Sequence, residues 1–156
     1  MNKKLLILII VILFLVGLYF AGRLASRNLV EESGNKVTFK GEDGELSFEE
    51  SGNLPEGFPG DFPIYPETKI VSSFSAKGED TNGTSVVWES KDTLGSVSQF
   101  YKVELSKKEW KIVSSFEKED SVTISFEKGT VSGFLGITKG EKGATTISVT
   151  IGTKEK

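Results

Sequence analysis

The side chains that most often perform chemistry at neutral pH are missing from these 156 residues: there is no histidine and no cysteine. Without imidazole the chain lacks the commonest general base, the usual partner of a serine nucleophile and a principal zinc ligand. Without thiols it can form no disulfide, thiolate nucleophile, cysteine zinc site or lipid-modified cysteine. What remains is Asp, Glu, Lys, Ser, Thr and Tyr. Two carboxylates can flank and hydrolyse a glycosidic bond, and a Ser/Lys pair can serve as nucleophile and base. Either chemistry needs two groups converging in one pocket. The acids fall instead at Glu42, Asp43, Glu79, Asp80, Glu117, Glu119 and Asp120, in turn-like stretches and strand ends where carboxylates stay solvated. Glu79-Asp80 and Glu119-Asp120 lack the alternating oxygen ligands of an EF-hand loop. Lys77-Gly78 and Lys139-Gly140 are turn dipeptides, and no phosphate-binding G-x-x-x-x-G-K-[ST] occurs. The sequence therefore assigns no catalytic residue, no metal ligand and no cofactor.

The elements that would position any site begin with an apolar run. Leu5 to Gly22 is 18 residues without a charge. As a helix rising 1.5 Å per residue it spans about 27 Å, close to a hydrocarbon core of about 30 Å. It is longer than the usual signal-peptide h-region and lacks a well-spaced pair of small residues for cleavage. Residues 1–23 therefore read as a retained transmembrane anchor, with Leu5, Ile10, Phe14, Phe20 and Gly22 along it. Lys3 and Lys4 before the run, against Arg23 and Arg27 after it, lean towards a cytoplasmic N-terminus and an extracytoplasmic C-terminal domain at the cell membrane. Leaving Lys3 and Lys4 aside, 17 basic and 22 acidic residues remain, a net −5. That balance offers no basic stripe for nucleic acid and no attraction to an anionic bilayer.

Residues 24–53 read as a polar stalk carrying a β-hairpin at about 36–50. Val37 and Phe39 alternate with polar residues before Gly41-Glu-Asp-Gly44, and Leu46 and Phe48 do so after it. All four prolines lie between Pro55 and Pro66. They make 54–68 an extended strap, whose Phe58, Phe62, Ile64 and Tyr65 are too apolar for a free linker.

From 69 to 152 the periodicity predicts strand, strand, helix and four strands. The strands are expected at Lys69–Ser75 and Thr84–Glu89, joined by a polar turn at 77–83. The helix is expected over about 94–108, capped by Asp92 or Thr93, with Val97, Phe100, Tyr101 and Leu105 on one apolar face. Trp110 should plug the core where helix meets sheet. Ile124 and Phe126, and later Ile147 and Val149, should point inward from alternating strands, while Ser/Thr/Lys-rich positions face water or a partner. Residues 153–156 are a polar tail. This is an α+β domain, one helix packed on an antiparallel sheet in the order β-β-α-β-β-β-β.

The run Phe58-Pro-x-x-Phe62-Pro-Ile-Tyr-Pro66, then Phe100-Tyr-Lys-x-Glu-Leu105 and Trp110, resembles a group of small bacterial membrane-anchored extracytoplasmic domains. In these an FPxDxPxYP strap precedes a helix carrying FYKxxL and ending near a Trp. The resemblance covers about residues 36 to 152, including the small hairpin, and implies no activity and no catalytic residues. The chain departs from that pattern at Glu109, where a Gly is usual, and at Thr93-Leu94-Gly95, where Ser-Pro-Glu is usual. The expectation is a membrane-anchored binding or scaffold module without catalytic activity, held by the bilayer and meeting a protein or envelope polymer through its polar sheet face. An envelope hydrolase using a carboxylate pair or Ser/Lys, and an accessory subunit of a membrane complex, are the alternatives.

Overall fold

Apolar side chains at every second position from Lys69 onward force strands to pair and bury one face, and the computed structural model shows the sheet that results. It describes residues 29–41, 44–50, 52–78, 81–140 and 143–154. The apolar run at 5–22, with Leu5, Ile10, Phe14, Phe20 and Gly22, lies outside the described residues. Among the described residues no helix is long and apolar enough to cross a membrane.

Nine strands are described: Leu29–Ser33 (β1), Lys36–Gly41 (β2), Gly44–Glu50 (β3), Lys69–Gly78 (β4), Thr81–Ser90 (β5), Lys111–Lys118 (β6), Ser121–Lys128 (β7), Val131–Lys139 (β8) and Thr145–Lys154 (β9). The helix, Leu94–Lys107 (α1), stands between β5 and β6. The strands form one antiparallel sheet in the order β1-β2-β3-β4-β5-β9-β8-β7-β6. β5 and β6 run the same way with three strands between them, so their connection must cross over the sheet, and α1 makes that crossing. The domain is α+β, with one helix on an antiparallel sheet.

Several boundaries differ from the sequence reading. The stretch read as stalk contains β1, paired from Leu29↔Lys40 to Ser33↔Lys36. β3 pairs onward with β4 from Gly44↔Gly78 to Glu50↔Ser72, so β2 and β3 extend the main sheet. The polar run at 77–83 is narrower than a turn of that length. Lys77 and Gly78 end β4, and Asn82-Gly83 lies inside β5, opposite Lys77 and Ala76. β9 continues past 152 to Lys154. Polar and glycine residues read as turns were held in strands by a neighbour's hydrogen-bond ladder, which overrides weak local propensity.

The core face is built by register. Val86, Val149, Leu135 and Ile124 stand in one row across β5, β9, β8 and β7, and Trp88, Ile147, Ile137 and Val122 in the next. All eight are buried. Bulges interrupt the register at Val71 in the interior strand β4 and at Val113 in the edge strand β6. The second puts Ser115 opposite Ile124 on the core side, where unbroken alternation would have placed Ser114. At Gly133 a close approach excludes any side chain. A Cβ there would sit 2.3 Å from the Thr150 carbonyl oxygen and 2.8 Å from Phe126 Cζ.

α1 starts at Thr93, whose hydroxyl accepts from the Ser96 amide at 3.2 Å, while Asp92 serves elsewhere. Val97, Ser98, Tyr101 and Leu105 are its buried residues. Ser98, outside the apolar face expected from Val97, Phe100, Tyr101 and Leu105, is buried with its hydroxyl unpartnered. The helix closes in a Schellman motif: Trp110 N–H donates to Leu105 O at 2.9 Å, and Glu109 N–H to Ser106 O at 3.1 Å. Glu109 takes φ +62°, a left-handed conformation that crowds Cβ and that glycine adopts without strain.

The strap lies over the sheet beside α1. Phe62 is buried against Tyr101, Trp110 and Phe126, with ring centroids 6.2, 5.5 and 5.1 Å away. Phe58 meets Trp88 at 6.3 Å. The Tyr65 hydroxyl donates to Asp92 Oδ2 at 2.6 Å. Lys128 binds Asp61 of the strap at 2.6 Å and the Lys108 carbonyl at 2.8 Å, with its ammonium over the Trp110 ring.

Two expectations follow. Glu109→Gly should stabilise the protein by about 1 kcal/mol, because the left-handed strain goes and the cap stays; a higher urea midpoint at unchanged m checks it. The hydrogen bond to Asp92, then burial, then the Asp92 charge, push the Tyr65 phenol up to about 12 from 10.0. The folded state thus favours the protonated phenol. The stability this adds is full below pH 10 and is lost as pH rises from there through about 12. The stability gap between wild type and Tyr65→Phe, measured by urea unfolding across that window, should shrink accordingly.

Candidate functional site

Outside the area covered by α1, the same sheet face turns polar. Alternation on β2, β3 and β4 sends Lys36, Thr38, Glu45, Ser47, Glu49, Ser73, Ser75 and Lys77 to the side that carries Val86 and Trp88 farther along. The register brings four hydroxyls into one row, Thr38–Ser47–Ser75–Thr84, across β2 to β5. Thr38 Oγ1 and Ser47 Oγ share a hydrogen bond at 3.2 Å. A second row sets Lys36 opposite Glu49 and Glu49 opposite Ser73, and a third sets Glu45 between Lys40 and Lys77.

The first residues of the strap form the other wall. Leu54, Pro55 and Glu56 line a cleft of about 120 Å³ with Lys36, Glu45, Ser47, Glu49, Ser73, Ser75 and Lys77. Glu56 and Gly57 line an adjoining one of about 250 Å³ with Ser75, Lys77, Asn82, Thr84, Ile151 and Thr153. Glu56, Ser75 and Lys77 belong to both, so the two form one groove. Gly57, at φ +85°, turns the strap directly over the Thr84 methyl. Glu56 Oε2 and Lys77 Nζ meet at 3.0 Å across the rim.

The floor of the groove holds an unpaid polar group. Thr84 is 6% exposed, and its hydroxyl has no hydrogen-bond partner. A buried hydroxyl without a partner loses its hydration with nothing in return, at a cost of about 1–3 kcal/mol. The Ser98 hydroxyl and Trp110 Nε1 are likewise unpartnered, but both lie in the core beneath α1. Among the described residues no cluster of three or more acids is arranged to hold a metal ion.

The residues picked out from the sequence lie in the layer next to this groove. Val97, Tyr101, Leu105, Trp110, Ile124, Phe126, Ile147 and Val149 are buried, and Phe100 packs on them half-buried. Burial raises the Tyr101 phenol far above its ordinary range, and the Trp88 indole N–H, 3.3 Å away, opposes part of that shift. These rings and aliphatics fill the space between helix and sheet. None of the groove residues was read from the sequence as a binding residue; Lys77 entered only in the turn dipeptide Lys77-Gly78. Their one signal was the polar side of β2 and β3, Lys36-Thr38-Lys40 and Glu45-Ser47-Glu49, which reads as solvent-facing until a strap is laid across it.

An antiparallel sheet carrying a single helix, with a lined groove beside it, defines a small α+β domain. Residues 70–156 match the family model described as START domain-like, which covers more than half of the chain, and the protein belongs to that family. A search of curated proteins found no match, and a search of solved structures found none.

Replacing the orphaned hydroxyl by a methyl of the same shape should relieve its desolvation. Thr84→Val is expected to raise stability by about 1 kcal/mol, read by urea denaturation. A destabilised variant would mean that the hydroxyl has a partner in solution.

Proposed function

We propose that this chain is a single-pass, membrane-anchored extracytoplasmic binding module without catalytic activity, its N-terminus cytoplasmic and the groove between Leu54–Gly57 and the polar face of β2–β5 the ligand site. The observation that carries the binding assignment is the Thr84 hydroxyl, buried and unpartnered at the groove floor. The hydroxyl is closed to solvent, with the Thr84 methyl facing Gly57 of the strap, so a ligand oxygen or nitrogen that reaches it as the strap shifts would recover a hydrogen bond that folding has left unmade. Membership of the START domain-like family supports the same reading, since such domains typically bind ligands. The anchor rests on the charge-free run Leu5–Gly22 and its bilayer-matching length.

The lining sets the ligand class. Ser47, Ser73, Ser75 and Thr84 each donate and accept; Glu45 and Glu49 accept; Lys36 and Lys77 donate. The larger cleft, at about 250 Å³, lies just under the usual range of about 300–1,000 Å³ for small-molecule sites. A small molecule with a hydroxyl-dense edge and an apolar face, such as a single sugar unit of an envelope polymer, suits a groove whose larger cleft is lined mostly by apolar surface and whose smaller cleft is mostly polar. A carboxylate-pair hydrolase needs an acid held out of water. Glu56, the acid common to both clefts, is 84% exposed along its side chain and paired with Lys77, so that reading is not favoured.

Titration of the full chain in detergent micelles with neutral, amino-bearing and acidic monosaccharides, followed by amide chemical shifts, tests the site. Binding should move the resonances of Gly57, Ser75 and Thr84 for at least one of these sugars, and Thr84→Val should weaken it about tenfold, the value of one lost hydrogen bond. Shift changes confined to other surfaces, or affinity unchanged in Thr84→Val, would remove the groove from consideration.

A further inference from the structure

The side of the sheet opposite the helix carries an apolar patch that nothing in the described chain covers. On β2, β3 and β4 the usual arrangement is inverted. Their charged residues Lys36, Lys40, Glu45, Glu49 and Lys77 share the face of the groove, whereas Val37, Phe39, Leu46, Phe48, Phe74 and Ala76 point the other way. Register makes these outward residues contiguous: Val37↔Phe48↔Phe74 in one row and Phe39↔Leu46↔Ala76 in the next. Phe39, Phe48 and Phe74 are 40–42% exposed. The Phe48 row continues through Ser85 and Thr150 to Phe134, which is 61% exposed. Two charged residues border the patch by register, Glu50 opposite Ser72 and, on the edge strand β1, Glu32 opposite Val37. A face of this kind marks an interaction site on a soluble domain.

The chain's own layout indicates what meets that face. β1, the edge strand next to β2, begins at Leu29, and the apolar run ends at Gly22. The six residues between them span at most about 21 Å when extended. β2 to β4 lie within about 15 Å of β1 at one strand spacing each. A bilayer holding residues 5–22 is therefore within reach of the patch, and the tether joins the sheet at the edge where the patch lies. Segregation of Lys36, Lys40, Glu45, Glu49 and Lys77 to the opposite face lowers the cost of contact with lipid, with Glu32 and Glu50 at the patch border, while phenylalanine side chains gain from insertion at the acyl boundary.

We infer that the outward face of β2–β4, centred on Phe39, Phe48 and Phe74, docks on the surface of the bilayer in which the chain is anchored. This rests on the membrane reading of residues 5–22. Docking turns the groove on the opposite face away from the lipid, towards the space outside. The domain's net negative charge opposes the approach to anionic headgroups, so docking weakens as anionic lipid is added.

The absence of native cysteine makes the test direct. The full chain, with a single fluorophore at Ser72→Cys beside Phe74 or at Val103→Cys on the exposed side of α1, is reconstituted into phosphatidylcholine vesicles carrying acyl-chain nitroxide quenchers. Quenching at 72 should exceed that at 103 at least threefold, fall when 30 mol% phosphatidylglycerol is included, and vanish in Phe48→Ser/Phe74→Ser. Equal quenching at the two positions in chains that float with the vesicles would overturn docking and leave the anchor intact. Label–label self-quenching at 72 without nitroxide quenching would assign the face to a second copy of the chain and overturn the inference. Failure to float would overturn the anchor reading and this inference with it.

Discussion

One helix cannot cover nine strands. At about 4.8 Å per spacing the sheet is about 38 Å wide, whereas a helix with its side chains is about 10–12 Å across. α1 packs on β6, β7 and β8 and shields that end of the core. The rest of the face must be covered by something else or must tolerate water. The strap meets the first need through Phe62, which inserts between Tyr101 of the helix, Trp110 just past it and Phe126 of the sheet. Prolines suit this task, because they keep the chain extended without requiring amide partners. Lys128–Asp61 then fastens the strap at its middle and Tyr65–Asp92 near its C-terminal end.

Beyond the reach of Phe62 and Phe58 the cover runs out, and the side-chain pattern changes with it. β2, β3 and β4 present their polar residues to the face that farther along is core, and their apolar residues to the other. The strand geometry is continuous; only the sequence phase shifts, by one residue relative to the central strands. That single phase change produces both features of interest: a hydroxyl-lined groove under the beginning of the strap and an apolar face behind it. A wide sheet can therefore carry two surfaces of opposite character without a second domain.

Much of the helical half was legible in the residues. The i, i+3, i+4, i+8 spacing of Val97, Phe100, Tyr101 and Leu105 and the period-2 runs through Ile124, Phe126, Ile147 and Val149 are local patterns with one cheap solution each. The cap was legible to within one residue, Asp92 or Thr93, and the hydrogen bond from the Ser96 amide settles on Thr93. The β1–β4 half was not. Asn82-Gly83 is a strong turn signal on its own, yet it sits in β5 because β4 on one side and β9 on the other satisfy its backbone. The outward phenylalanines were hidden in plain alternation: Val37, Phe39, Leu46 and Phe48 announce a buried face but not which face, since a hairpin alone has no inside.

By itself the sequence determined the chemistry denied to this protein, the class of its fold and the greasy segment at its start, because these depend on residue type, count and short-range period. Which strands neighbour each other, where the strap lies, and that the Thr84 hydroxyl is buried without a partner were decided only by tertiary structure. Those facts come from pairings between residues far apart in the chain, such as Thr84 with Ile151, and no local pattern encodes the register of two strands separated by a helix and three others.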